Sequence, residues 1–178
     1  MWDTEKKYGP VSRILHWGLA ALILWQALGG LGRWIFGAGS AFGGILFTSH
    51  VEIGTIILLG LILRCIWRIA NVLRSAATQS GHGLTVAGLG HMAIYAGMIG
   101  VVGCGVLQVW GRGRGLEVFG LTVLPDFTPP QELRDLARLA WDFHPYIALA
   151  LTFLIAGHVA MALFHQWVKK DGTLDKML

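Results

Sequence analysis

The chain has 178 residues, of which 54% are hydrophobic and only 13% charged, and it carries eight tryptophans at a mean hydropathy of +0.60. Soluble domains carry about 25% charge, so this composition excludes an ordinary water-soluble globule and points to a polytopic membrane protein. The net charge of +4 comes without the basic block that grips nucleic acid, and no nucleic-acid partner is expected.

Ile14–Gly32 is free of Asp, Glu, Lys and Arg and predicts a first membrane helix over about 11–35, because roughly 20 apolar residues cross a bilayer core. The stretch follows Lys6, Lys7 and Arg13 as a signal peptide would. It is too long for an h-region and lacks an A-x-A cleavage site, so it is read as a retained helix. The Gly-rich segment Arg33–Phe47 reads as a short outer connection. A second helix is expected over about 45–70, with Glu52 near one end and Arg64 and Arg68 near the other, where side chains snorkel to the interface. The polar connection around Asn71–Gly83 holds His82, read as a solvated loop residue. Ser75–Gly111, also uncharged, predicts a third helix over about 85–110. In it Gly97, Gly100 and Gly103 allow either close helix packing or a flat cofactor against that face.

The third connection, Gly111–Asp142, contains Pro125, Pro129 and Pro130. Leu133, Leu136 and Leu139 then recur at helical spacing, which predicts a short amphipathic helix over about 130–141 lying across the outer end of the bundle. Phe143–Val168 predicts the last membrane helix, about 143–168. The expected fold class is an all-α integral membrane four-helix bundle, one domain over 1–178.

Nine Lys and Arg residues (Lys6, Lys7, Arg13, Arg64, Arg68, Arg74, Lys169, Lys170, Lys176) flank one side of this bundle and five (Arg33, Arg112, Arg114, Arg134, Arg138) the other. The positive-inside rule then puts both termini in the cytoplasm. Cys65 and Cys104 form no CxxC or CxxCH arrangement, which argues against covalent haem, a zinc ribbon or a cysteine-held iron–sulfur cluster.

Seven histidines in so small a membrane protein call for an explanation, because ionisable groups in a bilayer are costly. His144 and His158 are separated by 14 residues, about 40° short of four helical turns and about 21 Å of rise, so they share one face at two depths. His50 lies level with His144, and His16 lies on the side of His158. A lone membrane histidine commonly makes a helix–helix hydrogen bond. Two facing pairs, one per leaflet, suit axial ligation of haem iron in a bundle core, whereas zinc needs three or four ligands together. His158 is further from its flanking charge than His16 is, so the last helix must project beyond the membrane or tilt for that pair to meet. Arg64 and Arg68 share the face of His50 and are candidates to bind haem propionates; a positive-inside flank would place the same residues there. His91 and His165 are candidates to bind and protonate a quinone headgroup, or else are plain interfacial residues. Trp25 falls between the two histidine levels and would line the electron path or simply pack.

These residues resemble the bacterial di-haem cytochrome b561 family over nearly the full length. The resemblance rests on Ser12-Arg13-Ile14-Leu15-His16-Trp17, His50-x-x-x-Gly54 with Leu63-Arg64 and Arg68, Leu89-Gly90-His91-x-x-x-Tyr95, and Gly105-Val106-Leu107 with Gly113. Its most specific part is Phe143-His144, Gly157-His158, His165 and Lys170-Asp171-Gly172-Thr173-Leu174, similar to the end of the family's superoxide-oxidising members. The resemblance implies two non-covalent b haems, ligated by His16 and His158 on the cytoplasmic side and by His50 and His144 on the periplasmic side of the bacterial inner membrane. It also implies that superoxide gives up its electron at the periplasmic surface and ubiquinone is reduced, with His91 and His165 near the quinone. The chain departs from the family in the third connection and at Pro145. An alternative in the same family is a b-type subunit linking a periplasmic dehydrogenase or hydrogenase, as protein redox partner, to the quinone pool; a haem-free membrane protein is a third reading. Superoxide capture needs a positive outer edge. The third connection offers four arginines against the five acids Glu117, Asp126, Glu132, Asp135 and Asp142, so local placement has to decide.

Overall fold

A computed structural model describes residues 2–4, 7–37, 39–41, 44, 47, 49–76 and 86–178. Among them are four long helices, α1 (Pro10–Phe36), α2 (His50–Ala76), α3 (Val86–Arg112) and α4 (Gln131–Phe164). All four are long and apolar enough to cross a membrane, and the chain is a multi-pass membrane protein with an all-α bundle. Pro10 opens α1, a position where its missing N–H is not needed, and Gly37 closes that helix at a φ of 85°. Large apolar side chains such as Ile14, Leu59, Ile99 and Phe153 are exposed along the spans, as lipid-facing surfaces require. We call the two ends of the bundle the termini end and the hairpin end.

One expectation about chain course changes. The segment expected as a separate amphipathic helix over 130–141 is the first part of α4, which runs unbroken from Gln131 through Pro145 to Phe164. Proline in a helix interior removes one backbone hydrogen bond, here to the Trp141 carbonyl. Packing carries the helix past that defect: Ala137 and Ala140 are buried, and Gly111 of α3 comes so close that an added Cβ would meet the Ala137 Cβ. The third connection also has regular structure that the sequence reading did not include. It holds an antiparallel hairpin of β1 (Leu116–Val118) and β2 (Leu121–Leu124), with Glu117 opposite Thr122 and Val118 opposite Leu121. His82 and the rest of residues 77–85 lie outside the described residues.

The helices pack as two pairs. α3 and α4 share the largest interface and α1 and α2 the next, while α2 touches α3 at few places and α1 has no extended contact with α4. A small core of Leu61, Met98 and Leu151, joined by Ile23, Cys65, Ile94, Tyr95, Val101 and Ile155, ties the pairs together at mid-height. Leu151 is midway between His144 and His158 in sequence, so this core separates the two histidine levels. Gly97 and Gly100 lie against Leu151 and Ile147 of α4, which makes close helix packing their role.

Candidate functional site

Both expected histidine pairs meet. His16 and His158 have ring centres 6.3 Å apart, and His50 and His144 have theirs 5.9 Å apart, each with the rings nearly perpendicular. In both pairs one ring comes from the α1–α2 half and the other from α4, so each pair bridges the loosely packed seam. At the hairpin end Nδ1 of His50 is buried without a hydrogen bond, while the His144 ring lies within reach of the Val101 carbonyl. A buried polar atom in that condition is costly unless something else engages the ring.

A metal–imidazole bond of about 2.0 Å, added to the radius of the ring on each side, gives a fit test. An iron held between two imidazoles puts their ring centres about 6.2 Å apart, and both pairs meet that spacing. Among the described residues no three His, Cys, Asp or Glu side chains gather to hold one ion. Two imidazoles facing across a helix seam are a donor set that would hold a haem iron.

The surroundings hold these rings from behind. Gln26 of α1 donates from Nε2 to the His50 carbonyl at 2.7 Å, and Gly54 leaves room for it: an added Cβ would sit 3.6 Å from that nitrogen. The Phe47 ring stacks on His50 at 4.5 Å. The His144 ring lies against α3 where Gly105 has no side chain, 3.8 Å from the position of an added Cβ. Gly105 belongs to the glycine-rich face and the Gly105-Val106-Leu107 motif read from the sequence, whereas Gln26 was not singled out as a site residue, although it is the sole amide in the first uncharged stretch, a signal available there. Trp25 donates to Ser49 Oγ at 3.3 Å, which puts it near the level of His50 rather than between the two levels.

At the termini end Arg64 is already engaged. Its Nε donates to the Tyr95 hydroxyl at 2.9 Å, Nη1 to the Ser12 carbonyl at 3.2 Å, and Nη2 lies 3.2 Å from His16 Nδ1. Arginine only donates, so His16 accepts through Nδ1 and keeps its proton on Nε2. Ligation through Nε2 needs the opposite tautomer, so metal on His16 and this Arg64 contact exclude one another. Arg64 would be released toward a carboxylate as the metal takes His16. Arg68 is exposed and lies close enough to His91 to act on it electrostatically. His91 is also nearer the site than expected, its ring 5.2 Å from that of His158.

His165 opens a π-helical turn, His165–Lys169, and its Nδ1 is 2.6 Å from an Asp171 carboxylate oxygen. The other Asp171 oxygen accepts from the Thr173 backbone N–H at 3.0 Å and the Thr173 hydroxyl at 2.6 Å. These bonds, the Thr173 hydroxyl first and His165 next, hold the Asp171 carboxyl well below the usual carboxylate range. The tail then crosses to α1. Tyr8 N–H donates to the Lys176 carbonyl and Trp17 Nε1 to the Met177 carbonyl, each at 3.0 Å, and Arg13 bonds the Leu178 oxygen. The Trp17 ring in turn packs edge-on against His16 at 5.3 Å.

At the hairpin end a cleft of about 180 Å³ opens between Val51, Val109, Arg112, Arg114, Gly115, Leu116 and Glu117, one residue from His50. Arg112 also lies over the Trp141 ring at 4.7 Å. The other expected outer arginines are occupied elsewhere: Arg33 lies over Phe47, Arg134 bonds Gln131 and the Pro129 carbonyl, and Arg138 pairs with Asp135.

Four membrane-length helices with histidines facing across their seam are an arrangement in which a bundle can hold a cofactor between its helices. The sequence profile of prokaryotic cytochrome b561 matches residues 7–178. The chain is 30% identical over 183 residues to cytochrome b561 homolog 2 of Escherichia coli strain K12, covering 99% of this chain and 93% of that one. It is 30% identical over 95 residues to cytochrome b561 homolog 1 of the same strain, about half of each chain. A third relative, the probable superoxide oxidase CybB of Yersinia pestis, is 33% identical over 93 residues, 52% of this chain and 51% of that one. The chain belongs to the prokaryotic cytochrome b561 family, electron-transfer proteins of the membrane that bind b-type haem.

Proposed function

We propose that this protein oxidises superoxide at the hairpin end and reduces ubiquinone at the termini end, with one haem b held by His50 and His144 and another by His16 and His158. The observation that carries the reading is the pair of facing histidines at each of two depths, both across the same seam and both at the spacing one iron requires. Haem, when bound, supplies one-electron chemistry and a route across the bilayer. The hairpin end is assigned to the periplasm and both termini to the cytoplasm of a bacterial inner membrane, on the arginine and lysine bias.

Superoxide is supported by the cleft beside His50 and by the partial similarity to a probable superoxide oxidase. Arg112 and Arg114 draw a small anion to that edge, while Glu117 on the same wall limits the site's net charge. Two superoxide ions each lose one electron and leave as dioxygen; one ubiquinone takes up two electrons and two protons. His91 and His165 supply those protons at the termini end. Arg64 and Arg68 receive the haem propionates, Arg64 after leaving His16.

The test is a visible spectrum of the purified, oxidised protein, recorded with a controlled supply of superoxide before and after ubiquinone is added. Reduced b-type bands that appear with superoxide and fade with quinone are expected. Bands that form with dithionite but not with superoxide would overturn the substrate and point to a subunit fed by a protein dehydrogenase or hydrogenase.

A further inference from the structure

The β1–β2 hairpin has an apolar outer face whose composition and loop geometry differ from those of an ordinary solvated turn. Its two-residue loop, Phe119-Gly120, has φ values of 50° and 78°. Positive φ at both central positions is the pattern of a hairpin loop that favours Asn-Gly or Gly-Gly. A bulky aromatic residue at such a φ is strained, and strain of this kind persists where the side chain has a task. The Phe119 side chain is 69% exposed, so that task is not packing within the fold.

The strands extend the same surface. Glu117 and Thr122 are opposite one another, and Glu117 lines the cleft toward α2 and α3. By strand alternation, Val118, Leu121 and Val123 lie on the other face, turned away from the bundle. Leu121 is 72% exposed and Val123 53%. From Val118 to Pro125 there is no charged residue.

The hairpin's height fixes what covers this face. β1 begins four residues after Arg112, the last residue of α3. The neck is drawn in by Phe127 N–H to the Gly113 carbonyl at 3.0 Å and by Gly115 N–H to the Asp126 carboxylate. β1 also rests against α2, so the hairpin leans across the bundle end instead of standing off it. Trp34, Trp110 and Trp141 are exposed at this same end, and exposed tryptophans mark the headgroup level. An uncharged apolar face at the same end of the bundle as these tryptophans has the chemistry that suits lipid.

We propose that the β1–β2 hairpin is a membrane-surface anchor, with Phe119, Leu121 and Val123 lying in the headgroup–acyl boundary of the leaflet at the hairpin end. The anchor holds the cleft-lining face, with Glu117, above the membrane surface and steadies the hairpin over the first turn of α2.

The test uses the full chain with Cys65 and Cys104 replaced by Ala, reconstituted in phosphatidylcholine nanodiscs at one copy per disc. A nitroxide is placed on Leu121→Cys or on Glu117→Cys, both exposed positions. Oxygen, which concentrates in lipid, should relax the label at 121 severalfold more strongly than a water-soluble nickel complex does, with the reverse order at 117. Phe119→Asn, which suits the loop conformation, should keep the hairpin register while lowering the oxygen preference at 121. Preference for nickel at both positions would overturn the proposal. So would spin–spin broadening at 121 in discs holding two copies, which would make the face a contact between copies.

Discussion

His16 of α1 and His158 of α4 face one another at 6.3 Å although their helices share no extended interface. What joins those two helices at this end is the tail, through His165, Asp171 and Thr173 on one side and Tyr8, Arg13 and Trp17 on the other. A group bound between the two rings would therefore tie together halves that the protein itself holds loosely, and its loss would loosen the bundle by mass action.

Replacing one histidine of a pair should remove one haem and spare the other. His144→Ala and His158→Ala should each lower the reduced b-band amplitude to about half, and the double variant should abolish it. His91→Ala should keep both haems even though His91 lies nearer His158 than His16 does. Loss of a haem in the His91 variant, with retention in His16→Ala, would reassign the termini-end ligand.

Arg64 satisfies three acceptors on two other helices, Ser12 and His16 of α1 and Tyr95 of α3, which a lysine ammonium on a single flexible stem does not reproduce. Arg64→Lys should destabilise the haem-free protein by roughly 2–3 kcal/mol, and Tyr95→Phe by about 1 kcal/mol. Denaturant titration in detergent micelles, followed by tryptophan fluorescence, measures both.

The tail clasp has a defined pH dependence. The Thr173 and His165 bonds lower the Asp171 pKa in the folded protein, so their contribution is fully present above the ordinary aspartate value of 3.8 and is lost as pH falls through the lower folded value. Hydrogen exchange over residues 171–178 should stay protected from neutral pH down past that ordinary range. Asp171→Ala should open the tail already at pH 7. In the same assays His165→Ala should keep both haems and slow quinone reduction; an unchanged rate would remove His165 from proton delivery.

Two glycines of α3 should respond oppositely to alanine. At Gly111 the new Cβ would lie 2.1 Å from the Ala137 Cβ and 2.8 Å from the Leu133 carbonyl oxygen, while at Gly103 it meets nothing within 4 Å. Gly111→Ala should cost about 3 kcal/mol or more, because neither backbone can yield cheaply. Gly103→Ala should be neutral in the haem-free protein, and any loss of haem affinity in that variant would show that a cofactor occupies the space beside it.

Charge at the cleft should govern the reaction with superoxide through association. Replacing Arg112 and Arg114 together by Gln should slow haem reduction by superoxide by about tenfold at low ionic strength. The difference should shrink as salt screens the site over about 10 Å at 0.1 M. Haem content should not change. Equal rates at low salt would move the point of anion arrival elsewhere.

Local chemistry made much of this protein legible in advance. Three uncharged runs of membrane length and a fourth segment with its charges near its ends set the four spans, and helical rotation alone placed His144 and His158 on one face at two depths, because both properties depend only on residue order and helix geometry. The facing of His50 with His144 and of His16 with His158 followed from matching depths. Other features depend on what lies opposite. The break expected near Asp142, between a surface helix and the last span, does not occur: α4 continues through it because Gly111 and Ala137 fit across the α3–α4 interface. Arg64 reads as a charge at a membrane flank, yet Ser12 and Tyr95, both distant in sequence, hold it against His16. The hairpin was hidden because the Leu116–Leu124 alternation is short and its loop carries Phe where Asn is usual. Periodicity and charge are written along the chain, whereas seams, clasps and second partners come from packing between segments far apart in it, and only the tertiary structure decides those.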